Sequence, residues 1–88
     1  MLDVEWTDDA SAQYYHLTPA QQQSAATTIN AIRRNPAIRK YYNTKPLADG
    51  GEQVVYAVEG LRVIVTFTLQ GRFWRRLVVQ IEGIISDY

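Results

Sequence analysis

The nine Lys and Arg residues are the groups of this chain best suited to bind a phosphate or another polyanion, and they fall in two segments. Residues 33–48 hold five of these cations and no acid, and residues 61–81 hold four arginines and no acid. Residues 1–32 hold four acids and no Lys or Arg, so a net charge of zero conceals a strong segregation. This segregation is typical of a polyanion-binding face, and an acidic partner protein would explain it equally well.

The arginines of the second segment lie on a predicted β-hairpin. Residues 61–69 alternate between apolar and polar side chains, and residues 73–82 carry apolar side chains in the same parity, so each is predicted to be a strand with one buried face. A two-residue turn at Gln70-Gly71 would mix the two faces, so we expect a three-residue loop. That register opposes four apolar pairs: Leu69 to Phe73, Val65 to Leu77, Val63 to Val79 and Leu61 to Ile81.

The opposite face of this hairpin is the predicted functional surface, because it gathers polar, cationic and aromatic residues: Arg62, Thr66, Trp74, Arg76, Gln80 and Glu82. The Arg62 guanidinium could bind a phosphate through two parallel hydrogen bonds, or it could pair with Glu82 or the C-terminal carboxylate as scaffolding. Trp74 could stack on a base or cover the sheet. Arg72 and Arg75, near the hairpin turn, would add to the positive field.

The first basic segment interleaves cations with aromatic rings, a pattern suited to RNA: Arg39, Lys40, Tyr41, Tyr42 and Lys45. The alternative is that the tyrosine rings pack under an irregular segment, and we favour a core position for one of them. Tyr88, the last residue, could stack on a nucleobase or bind a phosphate, or it could be a frayed terminus.

Composition excludes several kinds of chemistry. Without cysteine there is no disulfide, thiol nucleophile or cysteine-based zinc site, and with His16 as the single histidine there is no multi-histidine metal site. We therefore expect no metal and no cofactor. With 88 residues the chain is expected to form one small domain, which often gains stability from a partner or a homodimer. No signal peptide or membrane-length apolar run is evident, which predicts a cytoplasmic protein.

Helix signals precede the hairpin. Residues 2–6 alternate as a short strand, and Thr7 followed by two acids predicts the start of a helix that ends near His16. Thr18-Pro19-Ala20-Gln21 predicts a capping box, and Pro36 should end that second helix by Asn35. The two helices, joined by a short link, should pack as an antiparallel hairpin.

The rest of the chain completes the predicted fold. We expect residues 36–52 to be irregular up to an Asp49-Gly50-Gly51 turn, residues 53–58 to form a strand, and Glu59-Gly60 to turn tightly into the hairpin. The predicted class is therefore α+β: a short N-terminal strand, a helical hairpin and a three-stranded antiparallel meander, with the helices on one face.

Four segments in this order resemble the RelE/ParE superfamily of bacterial toxin–antitoxin toxins over nearly the whole chain. They are the opening Val4-Glu5-Trp6-Thr7-Asp8-Asp9-Ala10, the helix ending Ile32-Arg33-Arg34-Asn35-Pro36, the loop Lys45-Pro46-Leu47 and the strand Gly60-Leu61-Arg62-Val63-Ile64-Val65. The resemblance implies a toxin that is neutralised by a cognate antitoxin. It implies a RelE/ParE-like fold for residues 1–88.

For the RelE and YoeB branches, the resemblance implies cleavage of mRNA at the ribosome by attack of a 2′-hydroxyl on the adjacent phosphate. That reaction needs a base, an acid for the leaving oxygen and cations for the charged phosphorane. The family's central-strand arginine matches Arg62, and Arg76 would assist it. YoeB-like chains end in His-Tyr, and here Asp87-Tyr88 stand in their place, so Tyr88 is kept and Asp87 would be the base.

Three departures keep other functions open. Valines and a tyrosine, at positions 54–58, replace the cations that RelE-like enzymes carry on the strand before Arg62. Lys45 replaces YoeB's loop glutamate, and the chain is neutral whereas ribosome-acting members are basic. The alternatives are a ParE-type toxin directed at a topoisomerase, and an inactive member that binds an antitoxin and represses its operon.

Overall fold

The computed structural model describes residues 3–58, 60–73 and 75–86, with only the backbone of residues 39–41. The described chain is α+β, as predicted, with two α-helices and one mixed five-stranded sheet. The elements in chain order are β1 (Val4–Trp6), α1 (Asp8–Tyr15), α2 (Pro19–Arg34), a 3₁₀ helix (Pro36–Tyr41), β2 (Asn43–Pro46), β3 (Glu52–Val58), β4 (Leu61–Gln70) and β5 (Arg76–Ser86).

The strand order is β1-β5-β4-β3-β2, which differs from the predicted three-stranded meander. Four strands rather than three follow the helices, each antiparallel to its neighbour, and β1 joins the sheet parallel to β5. The predicted helical hairpin is not confirmed either, because α1 contacts mainly β5, and α2 contacts the 3₁₀ helix, β3 and β4 as well as α1. Pairing of β1 with β5 joins the two ends of the chain, which no local sequence pattern reveals.

Side-chain caps fix both helix starts at the predicted residues. The Ala10 N–H donates to Thr7 Oγ1 at 3.1 Å, and the Thr7 hydroxyl donates to the backbone carbonyl of Glu82 at 3.2 Å. At α2, Thr18 and Gln21 form the predicted capping box, with reciprocal bonds of 3.1 and 3.2 Å. The helices end at His16 and Asn35, as the sequence indicates.

The register of the β4–β5 hairpin differs from the prediction. Leu69 lies opposite Leu77, four residues beyond the predicted Phe73, and residues 71–75 form the connection. A shift by an even number of residues keeps the same side chains on the same face. Leu77, Val79 and Ile81 therefore still face inward as predicted, and the connecting loop is longer than predicted. Phe73, predicted to point inward, is 89% exposed. A β-bulge then places Glu82 between the pairs Val65–Ile81 and Ile64–Gly83.

Residues 36–52 are more regular than predicted. A 3₁₀ helix runs from Pro36 to Tyr41, and Asn43–Pro46 pairs with β3 as an exposed edge strand. The predicted turn follows: Gly50 has φ 89°, the Gly51 N–H donates to Asp49 Oδ1 at 2.9 Å, and the Leu47 N–H donates to the Gly51 carbonyl at 2.8 Å. The strand was missed because its sequence, Asn-Thr-Lys-Pro, is polar and has low strand propensity.

The core lies between the helices and one face of the sheet. Ala25, Ile29 and Ile32 of α2 are buried in one cluster with Leu61, Val63, Val65 and Phe67 of β4 and their neighbours on β3 and β5. No helix among the described residues is long and apolar enough to cross a membrane. The opposite side of the sheet, called the outer face below, presents Asn43, Lys45, Gln53, Val55, Ala57, Arg62, Ile64, Thr66, Thr68, Gln70, Arg76, Val78, Gln80, Ile85 and Glu5.

Candidate functional site

A polar row crosses the middle of the outer face. Cross-strand pairing aligns one residue from each of the five strands, Lys45, Gln53, Thr66, Gln80 and Glu5. Residues directly opposite each other have their side chains on the same face of a sheet. The row therefore offers hydrogen-bond donors and acceptors across the full width of the sheet, with a cation at one end and a carboxylate at the other.

Arg62 lies at one end of this face. It is the second residue of β4, it is exposed, and its ladder partners are Ala57 and Ile85. The last described residue of β5, Ser86, pairs with the neighbouring Leu61. The predicted site residues Asp87 and Tyr88 follow Ser86 in the chain and lie outside the described residues.

Glu82 lies at the β-bulge of β5 and contacts Thr66 of the polar row. Its carboxylate Oε1 accepts a 3.0 Å hydrogen bond from Thr66 Oγ1, and its backbone carbonyl accepts the bond from the Thr7 hydroxyl. Bulges often re-aim a side chain beside a functional site. Thr66 and Glu82 both belong to the predicted functional surface, but their hydrogen bond was not predicted. In the polar row, Gln53 and Glu5 were not predicted as site residues.

The end of the β4–β5 hairpin carries the other arginines; it begins at the last pair, Gln70–Arg76, and is called the hairpin end below. Arg72, Arg75 and Arg76 are exposed, and Arg76 pairs with Gln70, the last residue of β4. At about 3.3 Å per residue along the ten-residue β4, the rows of Arg62 and Arg76 are about 25 Å apart. The two predicted catalytic arginines therefore share a face but cannot bind one phosphate together. Trp74, predicted to stack on a base, lies outside the described residues.

The first basic segment is described in part. Arg39 and Lys40 lie in the 3₁₀ helix, and their side chains are outside the described part of the structure. Lys45 is exposed on edge strand β2, at the start of the polar row. Tyr42 packs on the buried Tyr56, with ring centroids 4.6 Å apart. Tyr42 itself is 39% exposed, so it does not take the core position that was favoured for one of the two tyrosines. The side chain of Tyr41 lies outside the described part of the structure.

A separate groove of about 480 Å³ opens on the helix side of the sheet, between β1 and α2. Trp6 and Tyr14 meet edge to face in its wall, with ring centroids 5.5 Å apart. Its lining includes Asp3, Val4, Ala26, Ile29, Asn30 and Arg33. The alternation of residues 2–6 predicted a strand with one apolar side, but the groove itself depends on how β1 and α2 are placed.

No group of three or more His, Asp or Glu side chains able to hold a metal occurs within residues 3–58, 60–73 and 75–86. The described outer face therefore offers hydrogen-bonding groups along the polar row and Arg62 near the C-terminal end of β5. The other arginines form a separate cationic cluster at the hairpin end. Comparisons of the chain with protein-family models, curated proteins and solved structures found no match.

Proposed function

We propose that this protein is the toxin of a type II toxin–antitoxin system, with a RelE/ParE-like fold, and that it cleaves mRNA at the ribosome. The observation that carries the proposal is the position of Arg62, exposed at the end of the outer face where β5 approaches its C-terminus. There its guanidinium could stabilise the charge that develops on a phosphate when the neighbouring 2′-hydroxyl attacks.

The supporting sequence segments coincide with element boundaries. The segment from Val4 to Ala10 spans β1 and the cap of α1, Arg33 and Arg34 form the last turn of α2, and Gly60 leads into β4. These are the segments that resemble the RelE/ParE superfamily. In the proposed reaction Asp87 takes the proton of the 2′-hydroxyl, the 5′ oxygen leaves and takes a proton from water, and Tyr88 stacks on the nucleotide.

Removal of the Arg62 guanidinium tests this function. Induction of the wild-type chain in a bacterium should arrest growth and cut mRNA within codons. Arg62→Ala should lower cleavage about 100-fold or more, as loss of a charge-stabilising group does, and should restore growth. Arg34→Ala, an equally exposed arginine at the end of α2, is the matched control and should keep the activity within about threefold. Intact transcripts during a growth arrest would rule out the nuclease.

A second function is favoured by the separation of Arg62 from Arg76 and by the net charge of zero. Phosphate contacts with ribosomal RNA require many cations, whereas a protein target such as a topoisomerase does not. A ParE-type toxin would leave mRNA intact and block supercoiling by purified gyrase. If growth, mRNA and supercoiling are all unaffected, the chain would be an inactive member that binds its antitoxin.

All three functions share a cognate antitoxin, for which the charge distribution gives a chemical description. The partner should place acids near Arg62 or Arg76 and apolar side chains on the outer face, where Ile85 and Val55 are at least partly exposed. Ribosome and mRNA are further partners only for the nuclease.

A further inference from the structure

The hairpin end has the composition of an anchor rather than of an ordinary turn. The Phe73 ring is 89% exposed, and three exposed arginines surround it in sequence: Arg72, Arg75 and Arg76. Leu69, just before the turn, is 59% exposed. An exposed aromatic ring flanked by arginines combines the residue types that most often dominate the binding energy of an interface.

The groove between β1 and α2 has the complementary composition. Its wall is aromatic and its floor apolar, through Trp6, Tyr14 and Ile29, and Trp6 remains 37% exposed. Asp3 lines the rim on the β1 side, and Arg33 lines the α2 side.

The charge around this groove extends beyond its rim. Asp8 and Asp9, in the first turn of α1, follow β1 directly, and both are exposed. Residues 1–32 hold no Lys or Arg. The β1 and α1 side of the molecule is therefore negative, and the hairpin end is positive. Two such surfaces attract each other across the interface of two copies.

The hairpin end of one chain is not packed in its own groove. The ladder between β4 and β5 continues to the pair Gln70–Arg76, so the turn projects beyond the end of the paired strands. The described chain is correspondingly elongated, 42 Å along its longest axis against 24 and 23 Å along the others. The Phe73 ring is 89% exposed and does not line the groove, so it does not occupy the groove of its own chain.

We propose that the protein self-associates by docking the hairpin end of one copy in the β1–α2 groove of another. Phe73 is the anchor between Trp6 and Tyr14, and the arginines of the hairpin end face Asp3. Each copy has one hairpin end and one groove. If each of two copies docks its hairpin end in the groove of the other, they form a closed dimer. If each copy docks in the groove of a further copy, a longer assembly forms.

Light scattering of the purified chain over a range of concentrations tests the proposal. At low salt the mean mass should rise above the 10.1 kDa of one chain as concentration increases, and added salt should lower it again. Phe73→Ser should weaken association about tenfold or more. The matched control is Ile85→Ser, which removes an exposed apolar side chain from the outer face and should leave association unchanged.

Charge reversal identifies the two surfaces directly. Arg72→Glu with Arg75→Glu, and separately Asp3→Lys, should each abolish association, because the hairpin end and the groove then have the same sign. An equimolar mixture of these two variants should associate again, since every contact between unlike chains is complementary. A wild-type chain that is monomeric at all concentrations would overturn the proposal, as would a mixture that stays monomeric. So would loss of association in Ile85→Ser but not in Phe73→Ser.

Discussion

Two adjacent glycines in the turn between β2 and β3 are required for different reasons. Gly50 has φ 89°, a left-handed conformation that a side chain disfavours, but a Cβ there would have nothing within 4 Å. A Cβ on Gly51 would lie 2.7 Å from the Phe67 carbonyl oxygen and 2.7 Å from Thr68 Cγ2. Substitution of Gly50 is therefore disfavoured by the backbone conformation, and substitution of Gly51 by the lack of space for a side chain.

Alanine and asparagine substitutions separate the two causes. Gly51→Ala should lower the free energy of unfolding by about 1–3 kcal/mol because the chain must move away from β4. Gly50→Ala should cost about 1 kcal/mol, and Gly50→Asn less, since asparagine tolerates the left-handed conformation. Urea unfolding of the three variants measures this order. Equal losses for Gly51→Ala and Gly50→Asn would show that the close approach to β4 is not maintained in solution.

At the level of elements, the two helix caps differ in what they connect: the Thr18 cap acts within α2, and the Thr7 cap also bonds to β5. In the contacts described, the side chain of Thr18 bonds only with Gln21, within the same turn of α2. Thr7 accepts from the Ala10 N–H and also donates to the Glu82 carbonyl at the bulge of β5. The cap of α1 thus also fixes the junction of β1, α1 and β5.

Thr7→Ala should therefore be more destabilising than Thr18→Ala. Loss of a cap costs about 1 kcal/mol, and loss of the second hydrogen bond at Thr7 should bring the total to about 2 kcal/mol. Thr7→Ser keeps the hydroxyl and should stay within about 0.5 kcal/mol of the wild type. Thermal unfolding of the three variants gives the comparison. If Thr18→Ala cost as much as Thr7→Ala, the link from the cap to β5 would contribute nothing.

The same elements show what could be predicted from the sequence. Caps at Thr7 and Thr18 and the buried parity of β4 follow from local rules, and all three are observed. The β4–β5 register did not follow, because alternation fixes the face of a strand but permits any even shift. The pairing of β1 with β5 depends on residues at opposite ends of the chain. The distance between Arg62 and Arg76 follows from that register. Both residues could therefore be predicted as site residues from the sequence, but the distance between them could not.

The whole molecule has two layers and a core on one side of the sheet. Neighbouring residues of β4 show the contrast: Val63 is fully buried beneath the helices, and Ile64 is half-buried on the outer face. A partner or a second copy would change the exposure of the outer face but not that of the core. The self-association proposed above uses the hairpin end and the groove, so it leaves the centre of the outer face accessible.

The same substitution at these neighbours tests the one-sided core. Val63→Thr is nearly isosteric but buries a hydroxyl, which should cost about 1–3 kcal/mol of unfolding free energy. Ile64→Thr loses apolar surface that is only half-buried and leaves its hydroxyl near water, so it should cost less than about 1 kcal/mol. Both keep a β-branched side chain, so strand propensity is similar. Urea unfolding of the dilute protein measures both variants. A loss at Ile64 as large as that at Val63 would mean that the outer face is covered in the isolated chain, and Arg62 could then not meet a substrate there.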